Sequence, residues 1–222
     1  MKRKVLVIAV HPDDETLGAG GTLLRHKTQG DEINWVICAS VLERYGFDKT
    51  QVGAKTKIIN LVAKKYHFNK VFKLDLEPMK IDQYPIKDLI HQFEKIISRV
   101  KPTDLYLPYC NDPHSDHRVI FNAVWSCVKT FRQPSIRKVC MMEVQSETDF
   151  SSNIGTNFSP NYFVDITEFL EKKIEIMELY RSEIGKHPFP RSSEGIKALA
   201  TVRGIQTGVR YAEGLMILKE IY

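Results

Sequence analysis

Hydrophobic and polar positions come in blocks along this chain rather than singly. Residues 5–10, Val-Leu-Val-Ile-Ala-Val, form an unbroken apolar run between the basic start Lys2-Arg3-Lys4 and the charged stretch His11-Pro12-Asp13-Asp14-Glu15. So short a run, rich in β-branched residues, predicts a parallel strand over 4–10 buried on both faces. Residues 16–29 read as a helix with Gly18, Gly20 and Gly21 in its first turns and Gly30 as its stop, and 32–39 as a second strand. An irregular stretch over 41–50 precedes an amphipathic helix over 51–67 and a short strand over 70–74. Pro85 suits a first helical turn and opens a helix running to residue 100. A strand over 104–108, a helix over 117–131 and a strand over 137–144 follow. The last third is less regular: a polar loop over 145–160, a strand over 161–165 and a helix over 166–181. The proline-rich Gly185-Lys-His-Pro-Phe-Pro190 reads as a rim or lid, before a helix over 192–206 and an extended stretch over 214–221.

Strand and helix signals in alternation predict an α/β fold, a mostly parallel central sheet flanked by helices on both faces. In such folds ligands bind outside the carboxyl ends of the strands, where the strand order reverses. At 222 residues, one domain over 1–222 is expected. The basic start followed by six apolar residues is too short for a secretory leader, and no apolar window reaches a membrane-spanning length. Cys38, Cys110, Cys127 and Cys140 lie far apart without metal or disulfide spacing and read as reduced thiols. These features together predict a soluble, cytoplasmic protein. The net charge of +5 is spread over nearly every segment, without the dense basic block of a nucleic-acid arm. No nucleic-acid partner is expected, and a small anionic substrate suits the charge as well.

The chemistry concentrates at two predicted strand ends. His11, Asp13, Asp14 and Glu15 follow the first strand; His114, Asp116 and His117 follow the strand over 104–108. Charges crowded at a buried strand end are costly unless a cation or a reaction uses them. His11 and Asp14, three apart across a tight turn, can converge on one ion, with His117 or His114 as a third ligand. Two nitrogens and one carboxylate suit Zn2+ or another divalent first-row metal better than magnesium or calcium. Asp13 is placed to act as general base, and the histidine left over, His114 in this reading, to face a developing oxyanion as a protonated ring held by Asp116. These parts make a metal-dependent hydrolase of an amide or ester. Capping of the helix over 16–29 by Asp14 or Thr16 is the plainer alternative for the first cluster.

Other features read as structural. Glu15 is a supporting group of the site or a first-turn charge, and Asp112, before Pro113, a turn residue. The three glycines point to close helix–sheet packing, and His26, His67, His91 and His187 to surface or partly buried positions. Arg203 and Arg210, near Glu213, are candidates to meet an anionic group of a substrate.

The His11-Pro-Asp-Asp-Glu15 box, the His114-x-Asp-His117 box and Tyr211-Ala-Glu213 in this order resemble the PIG-L/LmbE-like metal-dependent N-deacetylases. That family includes N-acetylglucosaminyl-phosphatidylinositol deacetylases and the deacetylases of mycothiol and bacillithiol synthesis. The resemblance extends from the first strand to residue 213. It implies a three-layer Rossmann-like fold and a zinc hydrolase that removes acetyl from an N-acetyl sugar or sugar conjugate. Residue by residue it implies His11, Asp14 and His117 as metal ligands, Asp13 as base, His114 as oxyanion stabiliser and Glu213 near the site. It leaves a homo-oligomer open. The stretch Ala39-Ser-Val-Leu-Glu-Arg-Tyr-Gly46 departs from the family's Gly-Glu-x-Gly segment, and Gln51, Lys55 and Lys57 stand on the next helix in place of Arg-x-x-Glu. Those departures leave two further expectations beside the first: hydrolysis of another amide or ester, and a non-catalytic Rossmann-like binding module.

Overall fold

The chain forms β1 (Lys4–Ala9), α1 (Asp14–Thr28), β2 (Glu32–Ala39), α2 (Lys49–Tyr66), β3 (Lys70–Leu76), α3 (Ile86–Val100) and β4 (Asp104–Leu107). It continues with α4 (Ser115–Cys127), β5 (Lys138–Met142), β6 (Tyr162–Asp165), α5 (Leu170–Met177), α6 (Ser193–Ile205) and β7 (Ala212–Glu220). This computed structural model describes residues 2–151 and 157–222. The strands pair in the order β3-β2-β1-β4-β5-β7-β6. Strands β1 to β5 run parallel to one another, and β7 runs antiparallel between β5 and β6. The mostly parallel α/β sheet is the expected one. Its antiparallel edge was not visible in the sequence, because a period-2 pattern carries no strand direction.

Strand β1 shows how the layers form. Successive side chains of a strand point to opposite faces. Val5, Val7 and Ala9 accordingly pack with Trp35, Tyr66, Leu170 and Ile174, while Leu6, Ile8 and Val10 pack with Phe93, Ile97, Ile120 and Val124. One face is thus covered by α1, α2, α5 and α6 and the other by α3 and α4. From β1 the sheet grows through β2 to β3, and from β4 through β5 the other way. The crevice over the carboxyl ends of β1 and β4 is the switch point of the sheet.

Element ends differ more than element types. Helix α4 stops at Cys127, short of the expected residue 131. Helix α5 covers only Leu170–Met177 of the expected 166–181, because Ile166 begins a turn in which its carbonyl accepts the Phe169 and Leu170 N–H groups. Helix α1 begins at Asp14, two residues early, and is interrupted at Ala19 (φ −146°, ψ 17°). The loop expected over 145–160 carries a 3₁₀ turn at Thr148–Phe150, and its residues 152–156 lie outside the described residues. No helix among the described residues is long and apolar enough to cross a membrane.

Candidate metal centre and its cleft

At the carboxyl end of β1 the chain turns within three residues. The His11 N–H donates to Asp14 Oδ2 at 2.8 Å and the Asp13 N–H to Glu15 Oε2 at 3.1 Å, while the Asp13 carbonyl accepts the Thr16 and Leu17 N–H groups. Asp13 takes a positive φ of 136°, a conformation costly for a residue with a Cβ. It occupies the N-cap of α1, yet its carboxylate caps no helical N–H. At the end of β4, the Asp116 N–H donates to His114 Nδ1 at 3.2 Å, which starts α4 and puts His117 on its first turn.

The two strand ends meet. Ligand atoms of His11, Asp14 and His117 lie within 4.8 Å of one another, as do those of His11, His114 and Asp116. Two observations favour the first group. His117 is fully buried with Nδ1 2.7 Å from Asp112 Oδ2, and its Nε2 has no hydrogen-bond partner among the described residues, 3.5 Å from Asp14 Oδ2. A buried polar atom without a partner is expensive, and a cation there would satisfy it. Asp116, by contrast, has its oxygens in use: Oδ2 accepts the Met79 N–H at 2.7 Å and Oδ1 the Ile81 N–H at 3.2 Å. His11, Asp14 and His117 therefore fit a divalent first-row ion, with Asp112 on the far nitrogen of one ligand ring as such sites require.

Electrostatics of the cluster follow from burial and its charges. Burial works against charge on His117, but Asp14 and Asp112 outweigh it and raise its pKa to about 9. Burial, then His11 and His117, push His114 down to about 4. The His114 ring is thus neutral, and since Nδ1 accepts the Asp116 N–H, its proton sits on Nε2. Burial and the charge of Asp14 drive Asp13 well up, with Arg191 opposing. Burial raises Glu15 to about 7 in spite of hydrogen bonds from Thr16, Tyr180 and the Asp13 N–H.

Several expectations need correction. His114 is not a protonated ring held by the Asp116 carboxylate. That carboxylate lies 3.3 Å from His11 Nε2, and Asp116 meets His114 only through its backbone N–H. Asp112 is no mere turn residue but the buried partner of His117. His26 is buried between Asp31 (2.8 Å) and the Tyr106 hydroxyl (2.9 Å), beside a separate hollow of about 350 Å³ that contains none of the cluster. Arg203, Arg210 and Glu213 do not line the cleft. Arg203 grips Glu143 through Nε (2.9 Å) and Nη2, and Arg210 is exposed with its guanidinium 5.3 Å from the Tyr211 ring centroid. Glu213 is buried against α1.

The cleft above the cluster has a volume of about 280 Å³ and is walled by Phe47, Lys55, Met79, Ser146, Glu183 and Arg191. Arg191, next to the proline-rich segment read as a rim, was missed by sequence reasoning. Its Nη1 donates to Asp13 Oδ2 at 2.8 Å and its Nε to Ser146 Oγ at 2.7 Å. Lys55 Nζ meets Glu183 Oε1 at 3.0 Å on the same wall. Nothing in the spacing of the chain links residue 191 to residue 13.

A family model described as "PIG-L: GlcNAc-PI de-N-acetylase" matches residues 6–128, more than half of the chain and both strand ends of the cluster. The chain belongs to the PIG-L family. The description of that family model names a de-N-acetylase. The chain is 23% identical over 235 residues to the diacetylchitobiose deacetylase of Thermococcus kodakarensis, covering 99% of this chain and 85% of that protein. This PIG-L fold superposes on N,N'-diacetylchitobiose deacetylase from Pyrococcus horikoshii with a TM-score of 0.76 at 22% identity, over 98% of this chain and 84% of the other. It also superposes on GalB, the 4-carboxy-2-hydroxymuconate hydratase of Pseudomonas putida KT2440, with a TM-score of 0.73 at 19% identity, over 100% and 98%. At these identities the structural likeness is one of fold.

Proposed function

We propose that this protein is a zinc-dependent N-deacetylase of an N-acetylated amino sugar or sugar conjugate, its metal held by His11, Asp14 and His117. The observation that carries this reading is the buried Nε2 of His117, without a hydrogen-bond partner among the described residues and 3.5 Å from Asp14 Oδ2, beneath a cleft in which the Asp13 carboxylate caps no helical N–H. A bound divalent ion would supply Lewis acidity toward the acetyl carbonyl and lower the pKa of a water. The chain's own groups supply the rest. Asp13, oriented by Arg191, takes the proton of the attacking water as the new C–O bond forms at the acetyl carbon. His114, neutral with its proton on Nε2, donates to the carbonyl oxygen as it becomes negative. Asp13 then returns the proton to the departing nitrogen as the C–N bond breaks, giving acetate and a free amine.

The test is acetate release from N,N'-diacetylchitobiose and a panel of N-acetylglucosamine conjugates, with protein as purified, chelated and zinc-restored. Acetate that disappears on chelation and returns with zinc is expected. Stoichiometric zinc without acetate from any member would overturn the substrate assignment, and neither zinc nor acetate would overturn the reading altogether. Because residues 39–46 depart from the family's pattern, the same samples should also be offered ester and non-sugar amide substrates.

A further inference from the structure

Helix α1 is broken at Ala19, and its first segment, residues 14–18, carries Asp14 with Asp13 at its N-cap. A helical piece this short does not sustain itself in isolation, so its direction must be fixed from outside. A break also leaves carbonyls on one side and N–H groups on the other in need of partners. Two buried charges meet both needs. Lys173 Nζ donates to the Leu17 carbonyl at 2.8 Å. Glu213 Oε1 accepts the Gly21 N–H at 2.8 Å, and its Oε2 accepts the Thr22 N–H at 2.7 Å and the Thr22 hydroxyl at 2.6 Å. The two side chains bond each other at 2.8 Å, each 5% exposed. Leu17 C=O and Gly21 N–H stand at i and i+4, the separation of a helical hydrogen bond, and each binds one end of the ion pair. The cation sits where the first segment ends in carbonyls and the anion where the second begins in N–H groups, so each charge complements a helix dipole.

The glycines leave room for this arrangement. A Cβ at Gly20 would lie 2.7 Å from the Tyr66 hydroxyl and 3.1 Å from Lys173 Cγ, in the path of the lysine stem. Neither Lys173 nor Glu213 lines the cleft, so neither is placed to touch a substrate there.

We infer that Lys173 and Glu213 are positioning residues for the metal centre, an internal splint that fixes the first segment of α1 and so the angle at which Asp13 and Asp14 meet His11 and His117. This rests on the proposed metal site and assigns it a mechanical support that reaches it through α1 alone. The charge-neutral pair Lys173→Met/Glu213→Gln is the main probe, because either single change would strand a buried charge and unfold the chain more readily. Thr22→Val, which removes only the hydroxyl bond to Glu213, is the milder second variant.

Zinc affinity by competition with a chelator, kcat and KM for acetate release at saturating zinc, and Tm would be measured on wild type and both variants. The expected result for the double variant is zinc binding weakened about 10- to 100-fold, as for loss of groups that orient metal ligands, with lower kcat and a KM near wild type. Thr22→Val should move zinc affinity and kcat the same way by less, and it decides the matter if the double variant does not fold. A variant that melts lower yet keeps wild-type zinc affinity and kcat would overturn the inference by showing a purely structural role. A raised KM at unchanged kcat would overturn it in favour of substrate contact. If wild type itself binds no zinc and releases no acetate, the functional reading fails first and takes the splint's purpose with it. Wild-type activity with indifferent variants sinks the splint alone.

Discussion

Asp13 and Asp112 show how much one side chain decides here. Asp13 is held in a costly backbone conformation, with its carboxylate on Arg191 instead of on the helix it begins. Asp13→Asn should keep bound zinc and lower kcat about 10²- to 10⁴-fold, the usual contribution of a general base; wild-type turnover in that variant would remove Asp13 from this role. His117→Ala should instead lose zinc, read by elemental analysis. Asp112→Ala should bind zinc about 10- to 100-fold more weakly, because the His117 ring loses the carboxylate on its Nδ1. Residues of the centre were legible where they sat in short boxes, since His11 with Asp14 and His114 with His117 are each three apart and local geometry brings them together. Asp112 was misread because Asp-Pro is an ordinary turn signal. Its burial comes from the packing of the loop under α4, which spacing does not express.

Among the elements, α1 matters most, because it joins the candidate metal centre to the packed interior. Its glycines were legible as close-packing positions, but the break at Ala19 and the ion pair across it were not. A Cβ at Gly21 would fall 2.5 Å from Ile166 Cγ2 and 2.7 Å from Ile166 Cβ, too near the backbone for a side-chain rotation to relieve. Gly21→Ala should therefore cost about 1–3 kcal/mol as overpacking, which thermal melts would register as a drop of about 2–10 °C for a chain of this length. An unchanged or higher Tm would mean that helix propensity outweighs the clash. Strands β1, β2, β4 and β5 were readable because burial on both faces requires continuous apolar runs. Helices α4 and α5 were overrun, since apolar periodicity continues through the turns that end them.

At the scale of the molecule, two linkages are measurable. A metal that binds only the folded chain stabilises it by about 2.7 kcal/mol at a free concentration about 100 times Kd, so zinc should raise Tm by about 5–10 °C and chelation reverse it. The second linkage concerns pH at the opposite end of the sheet. Burial lowers the pKa of His26 from its ordinary 6.5, although Asp31 opposes this. At this site the unfolded chain binds a proton more readily than the folded one, so the contribution of His26 to stability is full above 6.5 and declines as pH falls below it. The difference in stability between wild type and His26→Gln, read from melts from pH 8 to 5, should grow smaller as pH falls below 6.5; a constant difference would assign the acid sensitivity elsewhere.

By itself the sequence determined the α/β class, the mostly parallel sheet and the two strand ends bearing the chemistry, because these depend on local periodicity and on charges adjacent in the chain. Tertiary structure alone decided which carboxylate serves which histidine. It brought Arg191 to Asp13 across 178 residues, and it took Arg203 and Glu213 out of the substrate's reach to Glu143 and to the broken helix. The physical reason is the same in each case. A buried charge goes to whatever partner the packed elements place beside it, and that placement is a property of the sheet order and helix packing rather than of neighbouring residues.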